Sequence, residues 1–320
     1  MSRIALHCSH EQISPSRLLR FVRRAEQAGF DGGMSSDHFA PWSARQGESG
    51  FAWSFLGAAL ASTQMSFGVV NAPGQRYHPA IIAQAAATLT EMFPDRLWVA
   101  LGTGENSNEH ITGDPWPPKE ERNARLRECV NIMRALFAGE EVTHHGRVVV
   151  DRARLYTRPQ EPPPLIGAAV SEATARWAGS WADGLATVNA PVDHLRRMID
   201  AFRAGGGSAG RLVLQVHLAW AATEEQALRI ALHQWRTNVF DPPVCWDLAT
   251  VEEFDERART VTADDVRAKV LVSADLERHV QWLRELAALG FDEIALHHVG
   301  RDLDPFIDAF GEHVLPRLAA

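Results

Sequence analysis

The stretch Phe30-Asp31-Gly32-Gly33-Met34-Ser35-Ser36-Asp37-His38-Phe39-Ala40-Pro41-Trp42 decides how the chain is read. Phe30 to Ser36 is a run of small, β-compatible residues. The polar pair Asp37-His38 follows it, Pro41 stops the chain, and a polar run extends from Ser43 to Ser49. The pattern predicts a buried strand that ends at a site. Histidine gives or takes a proton near neutral pH more readily than other side chains, so His38 at a strand end is a candidate acid–base group. A histidine satisfied by its neighbours is the bland alternative, and the rest of the chain weighs between them.

Outward from this stretch, short β-like runs alternate with amphipathic helical patterns, the signature of a parallel sheet made of βα units. Predicted strands are Ile4 to Cys8, Phe30 to Ser36, Met65 to Asn71, Arg96 to Gly102, Pro164 to Ala168, Gly184 to Val188, Leu212 to Trp220 and Glu293 to His297. Between them lie helical patterns such as Pro15 to Ala28, opened by Ser14 and Pro15, and Pro79 to Phe93. Eight such repeats over 320 residues predict an α/β (β/α)8 TIM barrel, a single domain over 1–320. A doubly wound open sheet is the runner-up, but no GxGxxG follows the first strand. Two segments break the rhythm. Residues 142–156 alternate Val with polar residues around His145-Gly146 and predict an inserted hairpin. Residues 223–273, broken at Pro242-Pro243, predict an insertion or lid after the seventh strand.

Composition narrows the function. A formal net charge of -8 with dispersed basic residues speaks against nucleic acid and anionic membranes as partners and suits an enzyme of small molecules. Three distant cysteines without metal spacing suggest reduced thiols. With no leader-like N-terminus and no long apolar run, a cytoplasmic location is expected.

A barrel of this kind carries its site at the C-terminal strand ends. Those ends deliver Ser9 and Glu11, then Asp37, His38 and Trp42, Asn71, and Thr103, Gly104, Glu105 and Asn108, with His297 and His298 last. Gly102-Thr103-Gly104-Glu105 offers small residues that let a flat ligand approach the backbone. Gly167-Ala168-Ala169-Val170-Ser171 would present backbone N–H groups at a helix N-terminus, suited to a phosphate. The pairs His144-His145 and His297-His298 lack metal-ligand spacing, so no metal is expected. No GxSxG elbow is present for serine hydrolysis.

These residues resemble the luciferase-like flavin and deazaflavin oxidoreductases, in the branch of the F420-dependent glucose-6-phosphate dehydrogenases. The resemblance rests on Glu11-Gln12, Ser36-Asp37-His38-Phe39-x-Pro41-Trp42, Arg76-Tyr77-x-Pro79-Ala80, Gly102-Thr103-Gly104-Glu105-x-x-Asn108-Glu109 and Ala182-Asp183-Gly184. Ser9 to Gln12, Val70 to Tyr77 and Gln234 to Phe240 further resemble a subgroup labelled non-F420 flavinoid oxidoreductases, to which FMN is ascribed. The resemblance implies a homodimeric barrel with an isoalloxazine ring over the strand ends, FMN first and coenzyme F420 as the alternative. It implies that His38 and Trp42 flank the reacting carbon, that Glu105 is the partner acid–base, and that Glu11 is a further acidic site residue. Asp37, Val70, Asn71, Thr103, Gly104 and Asn108 would line the cofactor, with a non-proline cis peptide at Val70-Asn71.

The implied activity is hydride transfer between a small organic substrate and the cofactor. An FMN-dependent monooxygenase using oxygen is the alternative, and a non-catalytic barrel that binds a flavin or metabolite is the reading from another class. The sugar-phosphate enzymes of the branch hold their substrate with lysines and an arginine. Here Val188-Asn189-Ala190-Pro191 lacks the lysine and Lys269 stands for the arginine, which disfavours glucose 6-phosphate and leaves the substrate open.

Overall fold

The computed structural model describes residues 2–318. Eight parallel strands close into a barrel: β1 (Arg3–Cys8), β2 (Gly32–Ser36), β3 (Ser66–Asn71), β4 (Leu97–Leu101), β5 (Leu165–Ala168), β6 (Gly184–Val188), β7 (Arg211–Ala219) and β8 (Glu293–His298). Each strand pairs with the next, β7 pairs with both β6 and β8, and β1 pairs with β8 to complete the ring. The result is the (β/α)8 architecture that the strand count predicts.

Strand alternation fixes what faces the barrel axis. Ala5, Met34, Trp98, Ala100, Ile166, Ala186, Val213 and Ala295 form a compact inner cluster. The indole of Trp98 is accommodated by Gly68 on the neighbouring strand, where an added Cβ would lie 1.9 Å from the ring. The outward positions, with the helix faces, make the larger core, in which Leu6, Phe21, Phe67 and Phe306 are essentially solvent-free. Burial of each such side chain contributes roughly 1.5–3 kcal/mol. At the N-terminal end, Arg211 Nη2 donates to Glu293 Oε2 at 2.7 Å and charge is neutralised under the core.

Residues Val142–His145 and Val149–Ala153 pair as a two-stranded antiparallel sheet outside the barrel. The chain between β7 and β8 contains short helices over Val244–Asp247, Val251–Arg257 and Ala263–Arg267. It then adds Leu271–Val272 to the far end of β7, a pairing that sequence reading misses because two residues carry no periodicity. Likewise Asn106–Glu109 forms one helical turn where the glycine-rich sequence reads as loop. No helix among the described residues is long and apolar enough to cross a membrane.

Candidate active site

Two residues beyond the inner cluster, every strand places one more side chain toward the axis, and these form the floor of the barrel mouth. On β3 to β6 they are Val70, Gly102, Ala168 and Val188, all small or apolar and all partly exposed. On β7, β8, β1 and β2 they are Gln215, His297, His7 and Ser36, all polar. The floor is therefore divided, one half flat and apolar, the other studded with imidazoles and amides.

His38 stands above this division. Its Nδ1 lies 2.5 Å from Glu11 Oε1, an ion-pair contact off the ideal hydrogen-bond line. Ser9 Oγ donates to the other Glu11 oxygen at 2.8 Å. Burial opposes charge on His38, but the Glu11 carboxylate more than offsets it, with Glu105 assisting, and the imidazole is held above its ordinary pKa. Burial also acts against the Glu11 anion, and the His38 charge reverses that, so Glu11 stays ionised. Trp42 packs edge-on against His38, with centroids 4.4 Å apart.

Glu105 comes from the β4 end. Burial raises its pKa, an effect that His38, Trp42 and Arg122 oppose without cancelling. Its Oε2 is buried with no protein partner. Glu11, His38 and Glu105 thus form one electrostatic unit with the middle group basic and the outer carboxyls pushed in opposite directions, a pattern that separates acid and base roles.

The β3–β4 side is a cradle. Gly104 has φ +84°, and an added Cβ would meet Glu109 Cγ at 3.0 Å. An added Cβ at Gly102 would reach Ala168 Cβ at 3.7 Å and so fill the space between the two strands. Thr103 Oγ1 accepts from Lys119 Nζ at 2.8 Å, and burial lowers the Lys119 pKa to about 8. Over this cradle lies the turn Val244–Asp247, since Asn106 Nδ2 donates to the Asp247 carbonyl at 2.9 Å and Trp116 Nε1 to Asp247 Oδ1 at 3.0 Å. Burial and then the nearby Glu105 carboxylate push the Cys245 thiol up to about 12.

The structure brings Glu11, His38, Trp42 and Glu105 together, with Val70, Thr103, Gly104 and Ala168 around them, and differs from the resemblance at the Val70-Asn71 peptide. Asp37 is buried; Asn71 Nδ2 donates to it at 2.7 Å and Arg76 lies 3.7 Å from its carboxylate. Asn108 is buried and accepts from the Phe39 N–H at 2.8 Å. Both side chains are held by protein partners. The Ala169 N–H donates to the Ala186 carbonyl at 2.9 Å and the Ser171 hydroxyl caps its own helix at the Thr174 N–H. Among the described residues the cis peptide is Pro242-Pro243, and Val70-Asn71 is trans. Lys269 is committed to Asp241 at 2.7 Å.

Sequence reading passes over His7, Gln215 and His217, although alternation from Ala5 and Val213 would have found them. His7 and His297 stack at 4.2 Å, and His217 lies 5.4 Å from His297. Burial lowers all three below the ordinary imidazole range, so they are neutral. No group of three or more potential ligands among the described residues has metal-binding geometry.

The apolar half-floor, Gly102 and Gly104 at its edge and the unpartnered Glu105 Oε2 are features that would suit a flat isoalloxazine-type ring. Comparison with known proteins gives the family. The family model of luciferase-like monooxygenases matches residues 1–293. The chain is 35% identical to an F420-dependent glucose-6-phosphate dehydrogenase of Nakamurella multipartita, covering 99% of this chain and 97% of the relative. It is 33% identical to the protein of that name from Beutenbergia cavernae, covering 100% and 98%. Among solved structures, an F420-dependent secondary alcohol dehydrogenase in complex with an F420-acetone adduct superposes with TM-score 0.92 at 29% identity, covering 99% of both chains. The chain belongs to the luciferase-like monooxygenase family, within its flavin and deazaflavin oxidoreductases.

Proposed function

We propose that this protein oxidises a secondary alcohol, or reduces the matching carbonyl, with a deazaflavin or flavin over the β3–β6 half of the mouth. The observation that carries the reading is the Glu11–His38 pair at 2.5 Å beside a floor able to seat a flat ring. The bound cofactor supplies the two-electron exchange. His38, its basicity raised by Glu11, takes the hydroxyl proton, and Glu11 stabilises the imidazolium that results. Glu105, held toward its protonated form, would supply the proton that balances the charge a bound ring gains with the hydride. Trp42 shields the pair from water and fixes the imidazole plane.

F420 is the first reading for the cofactor, because relatives at 35% and 29% identity carry it in their names. FMN is the second, favoured by the resemblance of Ser9 to Gln12, Val70 to Tyr77 and Gln234 to Phe240 to the FMN subgroup. Fluorescence titration of the pure protein with each cofactor tests this. Tight binding of one supports it, and binding of neither rejects the proposal. Lys269, which the resemblance sets in the place of a phosphate-holding arginine, forms an exposed ion pair with Asp241. The turn Val244–Asp247 acts as a lid. A homodimer is proposed through the outer faces of Ala52–Ser62 and Pro79–Met92, where exposed Phe51, Ile81 and Val149 lie near a weakly charged surface. Sedimentation at micromolar concentration tests it, a monomer there counting against it.

A further inference from the structure

Gln12, Gln46 and Gln234 come from distant segments and join in one hydrogen-bonded group. Gln12 follows Glu11 beyond β1, Gln46 lies in the loop beyond β2 that carries Trp42, and Gln234 is on the helix Glu224–Trp235 between β7 and β8. Gln12 and Gln46 are fully buried and Gln234 is 4% exposed. A buried carboxamide that fails to pair its N–H groups and its carbonyl costs stability. Each nitrogen and oxygen of these side chains has a partner.

Main-chain carbonyls fix which way each amide points. Gln12 Nε2 donates to the Val299 carbonyl at 2.7 Å, Gln46 Nε2 to the Gln234 carbonyl at 3.0 Å and Gln234 Nε2 to the Arg45 carbonyl at 3.2 Å. A carbonyl only accepts, so in each case the nitrogen takes that side and the oxygen the other. The oxygens then accept in turn. Gln12 Oε1 accepts from His297 Nε2, Gln234 Oε1 from Gln12 Nε2 and Gln46 Oε1 from the Trp42 N–H, each at 2.9 Å. Turning any one amide over would set donor against donor or acceptor against acceptor.

Gln234 connects both neighbours of His38. Its side chain holds Gln12, next in the chain to Glu11, and also holds the Arg45 carbonyl in the loop of Trp42. Its own carbonyl anchors Gln46, which in turn accepts from the Trp42 N–H. Glu11 and Trp42 both bear on the imidazole, the one at 2.5 Å from Nδ1 and the other edge-on with centroids 4.4 Å apart. Trp235, beside Gln234, meets the Trp42 ring at 6.1 Å.

We propose that Gln234 is a positioning residue for proton transfer, holding Glu11 and Trp42 in register about His38 through Gln12 and Gln46. The inference rests on the reading of His38 as the acid–base group and deepens it. Gln234 is buried and acts only through its neighbours. A displacement of about 1 Å in a reacting group can slow a reaction about 10²-fold, which gives such an indirect residue a measurable effect.

The test compares the wild type with Gln234→Met, Gln46→Met and Gln234→Glu. Methionine fills similar space without the hydrogen bonds, whereas a protonated Glu keeps an acceptor for Gln12 and a donor for the Arg45 carbonyl. Two readouts are taken: NMR titration of the His38 ring, assigned by its loss in His38→Asn, and anaerobic single-turnover reduction of the bound cofactor. Glu11, Glu105 and Arg76 are the charged groups acting on His38, with the neutral His7 and His10 nearby. Of the charged groups Glu11 alone adjoins the network, so a shifted titration reports that contact.

Gln234→Met should move the His38 titration to lower pH and slow reduction about 10- to 10²-fold, with cofactor affinity kept within about threefold. Gln46→Met should slow reduction likewise, and it carries the test if Gln234→Met does not fold. Gln234→Glu should retain more of the rate than Gln234→Met. Folded Met variants that melt earlier yet titrate and react as the wild type does would make the network a loop brace and overturn the proposal. The two readings fail separately. A wild type that reduces no cofactor, with the His38 titration still shifted in Gln234→Met, sinks the oxidoreductase reading and keeps the positioning role. Turnover in the wild type, with rate and titration unchanged in Gln234→Met, does the reverse.

Discussion

Glu11 Oε1 lies 2.5 Å from His38 Nδ1, with both side chains out of bulk solvent and a second carboxyl, Glu105, acting on the same imidazole. Removing the inner carboxylate isolates its effect. Glu11→Gln deletes the charge that raises the His38 pKa, leaving burial to lower it. The pH limb at which His38 loses its proton therefore moves to lower pH, and the maximal rate falls because the developing imidazolium loses its counter-charge. Anaerobic pH–rate profiles of both proteins check this, and a limb that stays in place would assign the titration to another group.

Acid should destabilise the fold. Burial lowers His7 and His298 to about 3 and His10 and His217 to about 4, while in the unfolded chain each protonates near the ordinary imidazole value of about 6.5. Below that value the unfolded state binds more protons. The stability contribution of these neutral histidines is thus complete above about pH 6.5 and lost as pH falls, down to about pH 4 for His10 and His217 and about pH 3 for His7 and His298, at up to about 1.4 kcal/mol per pH unit per group. Urea unfolding at neutral pH and at about pH 5 should show a loss of several kcal/mol. A flat profile would contradict the neutral cluster.

Gly104→Ala tests the cradle. At φ +84° a side chain is strained, and its Cβ would press on Glu109 at 3.0 Å. A loss of about 1–2 kcal/mol in stability is expected, with weaker cofactor binding by titration. Unchanged affinity would remove this turn from the cofactor site.

Asp247→Ala removes the acceptor for Trp116 Nε1 but keeps the backbone bond from Asn106. If Val244–Asp247 is a lid, cofactor release should speed several-fold while melting temperature shifts little, since the lost bond is worth about 1 kcal/mol. Stopped-flow release kinetics measure this, and an unaltered release rate argues against the lid.

Much of the barrel was legible because its strands are short β-compatible runs set between helical patterns, as Arg96 to Gly102 shows. His38 stood out because a polar pair interrupts the chain where a strand leaves the core. What escaped depends on contacts that local patterns do not encode. His7, His217 and His297 are distant in sequence and meet only because β1, β7 and β8 are neighbours in the closed ring. Asp37 follows β2 and Asn108 lies in the turn Asn106–Glu109, and their side chains meet Asn71 and the Phe39 N–H, contacts that no local pattern encodes. Ala169 illustrates the same limit, because its N–H is captured by the β6 carbonyl of Ala186 before any ligand could use it.

The most direct test of the account is anaerobic single-turnover reduction of the bound cofactor by a secondary alcohol, followed by loss of its visible absorbance, in the wild type and in His38→Asn. The account predicts reduction in the wild type and a rate about 10²–10⁴-fold lower in the variant, with cofactor affinity changed by no more than about threefold. Equal rates in the two proteins would contradict it, since the proton would then leave by a route in which His38 and Glu11 take no part.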